Sequence, residues 1–254
     1  MQAYGNVMPE SSFYCGRTAA VAYRLPVGHP GELEVAVFSP RRAPRAKGIK
    51  GRRVATHLAT TRVIDGLLVS SPASTWAMLA RELKERELVA VGDAIVQIPR
   101  DEFGTQHPEL ALGTLAQLQA AADAGPRPPT TTLLRSALEK VRIGSSSPLE
   151  TDYRLIADAA GLPTPELDHE VRAPGGQLLG ISEFFYREYN LVVEVEGDHH
   201  RTDRIQWDRD IDKYRAYNDV GVGVERLTAR HIRGDNPRCV DVVRSALRRR
   251  GWDG

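Results

Sequence analysis

A chain of 254 residues, 41% hydrophobic and 26% charged, carries enough apolar surface for one large or two modest globular cores. Lys plus Arg (34) nearly equal Asp plus Glu (33), so bulk charge does not point to a polyanionic partner and any basic surface must be local. Cys15 and Cys239 are the only cysteines, far apart and without metal-ligand spacing, which argues against a disulfide framework or zinc knuckle and fits a reducing cytoplasm. No apolar run approaches the ~18 residues of a membrane span, and "MQAYGNVMPESS" lacks the regions of a signal peptide. The expectation is a soluble cytoplasmic protein with no membrane partner.

In chain order, "GRTAAVAYRL" predicts a short helix, "ELEVAVFS" a strand with period-two alternation, and "DGLLVSS" another strand. "SPASTWAMLARELKERELVAVGDAIVQ" predicts a helical pair capped at Ser71 or Ser74 and broken near Arg86. Two segments rich in structure-punctuating residues follow, "DAGPRPPTTT" and "RIGSSSPLE", with "LLRSALEKV" between them as a connector helix. These divide the chain into residues 1–125, a linker helix within 126–145, and residues 146–254. In the last part "SPLETDYRLIADAAG" predicts a helix, with Ser147 as cap, Pro148 in the first turn, Glu150 three residues past the cap and Gly161 as its end. Strands are predicted at 166–172, 178–186 and 191–197, a long helix from Thr202 to Asp219, a strand at 222–227 and a closing helix. The α-β-β-β-α-β-α order argues for a mixed sheet flanked by helices, preceded by a smaller α+β domain: an α/β, overall α+β, protein.

The strand "LVVEVEG" poses the chemical question. Residues two apart share a face, so Glu194 and Glu196 project with Val192, while Leu191, Val193 and Val195 pack on the other side. Ionised carboxylates resist burial unless something compensates them. The preceding strand has the same misfit, Glu183 between Ile181 and Phe185, and the short "REYN" connection makes the two strands antiparallel neighbours, bringing Glu183 beside Glu194. Converging acids repel by several kcal/mol at an effective interior dielectric. A divalent ion removes that penalty, and hard oxygen ligands select Mg²⁺ or Mn²⁺ over zinc. The alternative is a solvated sheet face whose glutamates pair with arginines such as Arg187 or Arg201. In "GDHH", Asp198 and His199 read as turn residues or as part of the site, and His200 has the ordinary pKa of a proton shuttle.

"SPLE", "GISEFFY", "VVEVEGDHHR" and "DRDIDKYRAYNDVGVGVERLT", over residues 145–254, resemble the domain-of-unknown-function nucleases related to the very-short-patch-repair endonuclease, within the restriction-endonuclease-like PD-(D/E)XK superfamily. The resemblance implies that Glu150 helps to hold metal, that Glu183 takes the place of the superfamily aspartate and Glu194 that of the second acidic ligand, and that Glu196 stands where lysine is usual. It matches His200 to a family histidine and Arg226 to an arginine facing the scissile phosphate, the alternative being that Arg226 packs over the sheet edge. This chain departs from the pattern in having Glu183 for Asp and no lysine at 196. Lys213 on the following helix is a candidate replacement, the alternative being a surface ion pair with Asp210.

The remaining motif is basic. "SPRRAPRAKGIKGRR" places Arg41, Arg42, Arg45, Lys47, Lys50, Arg52 and Arg53 close together, with Pro and Gly expected to keep the segment out of regular structure. Such a loop can follow a phosphate backbone, or it can be merely solvated. "GRTAAVAYRLPVG" through "VSSPASTWAMLARELKERELVAVGDAI" resembles part of AbiEi-type antitoxin domains, without their initial winged helix, which implies a nucleic-acid-binding or regulatory role. The combined expectation is a Mg²⁺- or Mn²⁺-dependent DNA endonuclease, with RNA not distinguished as substrate and a homodimer favoured if both strands are cut. A catalytically inactive, antitoxin-like nucleic-acid-binding regulator is the alternative.

Overall fold

The computed structural model describes residues 1–5, 8, 9, 11–127, 129–196 and 204–254, with the backbone alone for residues 2, 3 and 204–210. The chain forms two compact units, Met1–Asp101 with Thr105–Arg142, and Glu102–Gly104 with Ile143–Gly254. Both combine helices with a mixed sheet.

The N-terminal unit contains α1 (Gln2–Gly5), β1 (Ser12–Tyr14), α2 (Gly16–Ala22), β2 (Leu33–Phe38), β3 (Ile49–Val54), β4 (Thr61–Ile64), β5 (Leu67–Ser70), α3 (Pro72–Leu79), α4 (Glu85–Val96), α5 (Leu115–Asp123) and α6 (Thr131–Lys140). Its sheet runs β3-β2-β1-β5-β4. Ile64 pairs with Leu67 across a two-residue turn, Asp65 and Gly66, both at positive φ (47° and 77°), the backbone that a tight hairpin requires. The Ser71 hydroxyl accepts from Ser74 N at 3.3 Å and Pro72 opens α3, every residue of which is buried. Trp76 Nε1 donates to the Leu88 carbonyl at 2.9 Å, tying α3 to α4.

Two expectations change here. The connector helix is part of the N-terminal unit: Leu134 and Ala137 of α6 are buried, and Lys140 pairs with Glu85 of α4 at 2.9 Å. The basic segment is regular at its end, because Ile49–Val54 forms β3, parallel to β2 from Leu33↔Ile49 to Phe38↔Val54.

The C-terminal unit contains α7 (Pro148–Ala159), β6 (Glu166–Arg172), β7 (Leu178–Tyr186), β8 (Leu191–Glu196), α8 (Arg204–Asp219), β9 (Gly223–Thr228), α9 (Ala229–Arg233) and α10 (Cys239–Arg249). Its sheet order is β6-β7-β8-β9, antiparallel through β8, with β9 added parallel after the α8 crossover. Phe184, Tyr186, Leu191, Val193, Val195 and Leu227 pack with Leu149, Tyr153, Val243 and Leu247 from α7 and α10. Phe185, Val192 and Val224 lie on the other face with Tyr214 and Tyr217 of α8. Covered on both sides, β8 is buried from Leu191 to Val195, which is why its apolar run is almost continuous. Among the described residues no helix is long and apolar enough to cross a membrane.

Candidate active site

The β7–β8 register is Phe184↔Val193, Phe185↔Val192 and Tyr186↔Leu191, and its continuation sets Glu183 opposite Glu194. Both glutamates belong to the face of Phe185 and Val192, as alternation requires. Glu183 Oε2 accepts from the Val195 amide at 2.5 Å. Glu194 is 6% exposed, and its Oε1 receives Lys213 Nζ at 3.1 Å. Lys213 comes from α8, and its ammonium also lies 5.0 Å from the Tyr214 ring centroid and 5.9 Å from that of Tyr217. Lys213 makes the contact with the acidic strand; the alternative partner, Asp210, has its side chain outside the described residues.

Glu150 reaches the site from the first turn of α7. The Ser147 hydroxyl caps the helix by accepting from Glu150 N at 3.2 Å. The Glu150 carboxylate, 3% exposed, accepts from Ser146 N at 2.8 Å and from the Ser146 hydroxyl at 2.9 Å. Burial raises its pKa, the hydrogen bonds from Ser146 and Ser147 oppose the rise, and the charge of Asp168 adds to it. Glu183 is pushed well above the usual carboxylate range, first by burial, then by the charges of Glu150 and Glu194, against the pull of the Val195 amide and Lys213. The three acids therefore sense one another through a poorly solvated space.

Sequence reasoning missed three parts of this site. Asp168 sits in β6 at φ +49°, a left-handed conformation that side-chain-bearing residues seldom adopt in a strand and that cluster at functional positions. Past it the alternation of β6 changes, so that His169 stacks on Phe185 with centroids 4.5 Å apart. Tyr217 is fully buried, and its hydroxyl has no hydrogen-bond partner among the described residues; burial and then the Glu194 charge raise its pKa. Gly180 makes the space, since a Cβ there would stand 2.6 Å from the Tyr217 hydroxyl and 2.8 Å from the Lys213 stem. A glycine inside the "LLGISEFFY" strand was the available signal of close approach.

Other expected site residues are engaged elsewhere. Glu196 forms an ion pair with Arg226, whose guanidinium lies 5.2 Å from the Tyr214 centroid. The parallel β8–β9 register places these two strands side by side, Glu194↔Arg226 and Glu196↔Thr228, so a partly exposed carboxylate takes the adjacent cation. Arg187, an alternative partner, pairs with Glu166 instead. His200, with Asp198, His199 and Arg201, lies outside the described residues.

The basic run separates into two sets. Arg41, Arg42, Arg45, Lys47 and Arg53 are exposed. Lys50, also exposed, and half-buried Arg52 are counter-ions to acids of the same unit: Lys50 contacts Glu34 at 2.8 Å and Glu82 at 2.9 Å, and Arg52 contacts Glu34 at 2.9 Å and also pairs with Glu82. Glu34 is 2% exposed and accepts from the Arg17 amide at 2.7 Å, against Gly16, where any Cβ would strike its carboxylate. Burial would raise the Glu82 carboxyl, but hydrogen bonds from Lys50 and Arg52 outweigh it and hold it down to about 2. A buried carboxylate on β2 draws cations from its neighbour β3, so Lys50 and Arg52 are ion-paired within the unit.

No family model and no curated protein matches this chain.

Proposed function

We propose that the C-terminal unit is a divalent-metal-dependent nuclease that hydrolyses phosphodiester bonds, with DNA as substrate, on a restriction-endonuclease-like framework. One observation carries this reading: Glu183 and Glu194 share one sheet face on paired strands, with Lys213 directed onto them from the crossover helix. The donor set suits Mg²⁺ or Mn²⁺, which are commonly held by one or two carboxylates with water completing the shell. Among the described residues no group of three His, Cys, Asp or Glu side chains stands ready-made to hold an ion. Glu183 and Glu194 would therefore be the holders, with Glu150 beside them. When bound, the metal supplies a Lewis acid for the phosphate and a more acidic water.

The chain's own groups have separable roles in this scheme. Lys213 keeps positive charge where a phosphate's negative charge would grow, the task that the usual lysine performs from the strand. Glu183 carries a carboxyl whose affinity for protons is raised by burial and by the charges of Glu150 and Glu194, a penalty that a bound divalent ion would relieve. Exposed Arg41, Arg42, Arg45, Lys47 and Arg53 offer sequence-independent contacts to a phosphate backbone.

A second reading, a catalytically inactive nucleic-acid-binding regulator, draws support from the internal pairing of Glu196 with Arg226. The deciding experiment incubates labelled duplex, nicked, mismatched and single-stranded DNA and RNA with full-length protein and Mn²⁺, beside Glu194→Gln and an EDTA control. Metal-dependent cleavage lost in the variant supports the nuclease. Equal products from both proteins reject it, and nucleic-acid binding without cleavage or Mn²⁺ uptake favours the regulator.

A further inference from the structure

The N-terminal unit contains a cavity of about 370 Å³ between the end of β3, α3 and the segment that leads into α6. Arg52, Arg53, Arg81, Arg127 and Thr130 line it, and among the described residues no carboxylate does. Arg52 is engaged by Glu34 and Glu82, whereas Arg53, Arg81 and Arg127 make no ion pair among the described residues.

Arg127 is the informative member. It is only 9% exposed; one terminal nitrogen donates to the Leu58 carbonyl, a neutral acceptor, and its Nε has no hydrogen-bond partner among the described residues. A guanidinium stays ionised under ordinary conditions, and a buried cation without a counter-charge is strongly disfavoured. Burial, then the charge of nearby Arg81, both act against its ionised form. Two cations facing one cavity, one of them buried with an unused donor, are a complement to an anion that the described residues do not provide. Thr130, at the start of α6, brings the positive end of a helix dipole to the same wall.

We infer that this cavity binds a phosphate group, gripped by Arg127 and Arg81 with Arg53 at its exposed rim. Planar guanidinium forks match phosphate oxygens in pairs, which a single chloride cannot exploit. The volume lies in the range of small-ligand pockets, so the phosphate can belong to a nucleotide as well as to a nucleic-acid backbone. None of these residues belongs to the acidic site; Arg53 alone is shared with the exposed cations proposed above to contact a phosphate backbone.

The test is calorimetric titration of full-length protein with inorganic phosphate and with pyrophosphate, against chloride at matched ionic strength. Phosphate-specific binding is expected, weakened about tenfold in Arg81→Gln by loss of one charge-assisted contact. Arg127→Gln should weaken it further; because that residue is buried, the exposed Arg81→Gln and Arg53→Gln keep the test valid if Arg127→Gln does not fold. A labelled DNA duplex separates the sources. Displacement by pyrophosphate together with weaker duplex binding by Arg81→Gln identifies backbone phosphate, and an unchanged duplex affinity beside reduced pyrophosphate binding identifies a free phosphate compound. Phosphate binding no stronger than chloride's, or unaltered in Arg81→Gln, overturns the inference.

Discussion

Replacing Glu183 by Gln should stabilise the C-terminal unit at neutral pH in metal-free buffer, with the gain disappearing in acid. In the fold, burial and the charges of Glu150 and Glu194 keep the Glu183 carboxyl protonated well above the usual range, whereas in the unfolded chain it ionises near 4.5. A carboxyl whose folded pKa is raised contributes its stability fully below the unfolded pKa, and the contribution is lost as pH rises toward the folded value. One proton retained by the fold and released by the unfolded chain corresponds to about 1.4 kcal/mol lost per pH unit. Glu150, raised in the same direction, adds to that slope over its own window. Gln cannot ionise, yet retains an oxygen for the Val195 amide, so it should remove one proton's share. Cys239, 1% exposed, provides the readout: in a Cys15→Ala background, urea-dependent thiol labelling at several pH values reports opening of the C-terminal unit. Mg²⁺ should recover stability in the parent protein and much less in the variant. Identical pH slopes for the two would refute the account of charge confinement.

Lys213→Met should lower stability by about 3–5 kcal/mol, because it leaves Glu194 buried without its cation; adding Glu194→Gln should restore most of the loss, and a double-mutant cycle in urea measures the coupling. Gly180→Ala should cost about 1–3 kcal/mol by overpacking against Lys213 and Tyr217, and should reduce any metal-dependent cleavage in parallel, which a combined melting and nuclease assay can follow. The N-terminal unit should show the opposite pH response. Glu82, with its carboxyl held down to about 2, contributes stability that is present above pH 4.5 and lost as pH falls toward 2, and Glu82→Gln should flatten that loss. Labelling of Cys15, buried in the fold, with a thiol reagent that reacts in acid reads this transition.

The sequence alone determined α7, through Ser147, Pro148 and Gly161, and the alternation that puts Glu183 and Glu194 on one face, because caps and period-two faces are set by neighbours in the chain. The Asp65–Gly66 hairpin was equally local, although only its second strand was anticipated; β3 escaped notice because a strand that supplies counter-ions looks like a charged loop. Tertiary structure decided which cation meets which acid. Lys213 reaches Glu194 from 19 residues away, Arg226 takes Glu196 across a parallel ladder, and Arg52 answers Glu34 from the adjacent strand. It also set Arg127 beside Arg81 around one cavity. Composition counts charges and spacing assigns them to faces, but an ion pair depends on separation through space in a low-dielectric interior, and only the packed chain sets that separation.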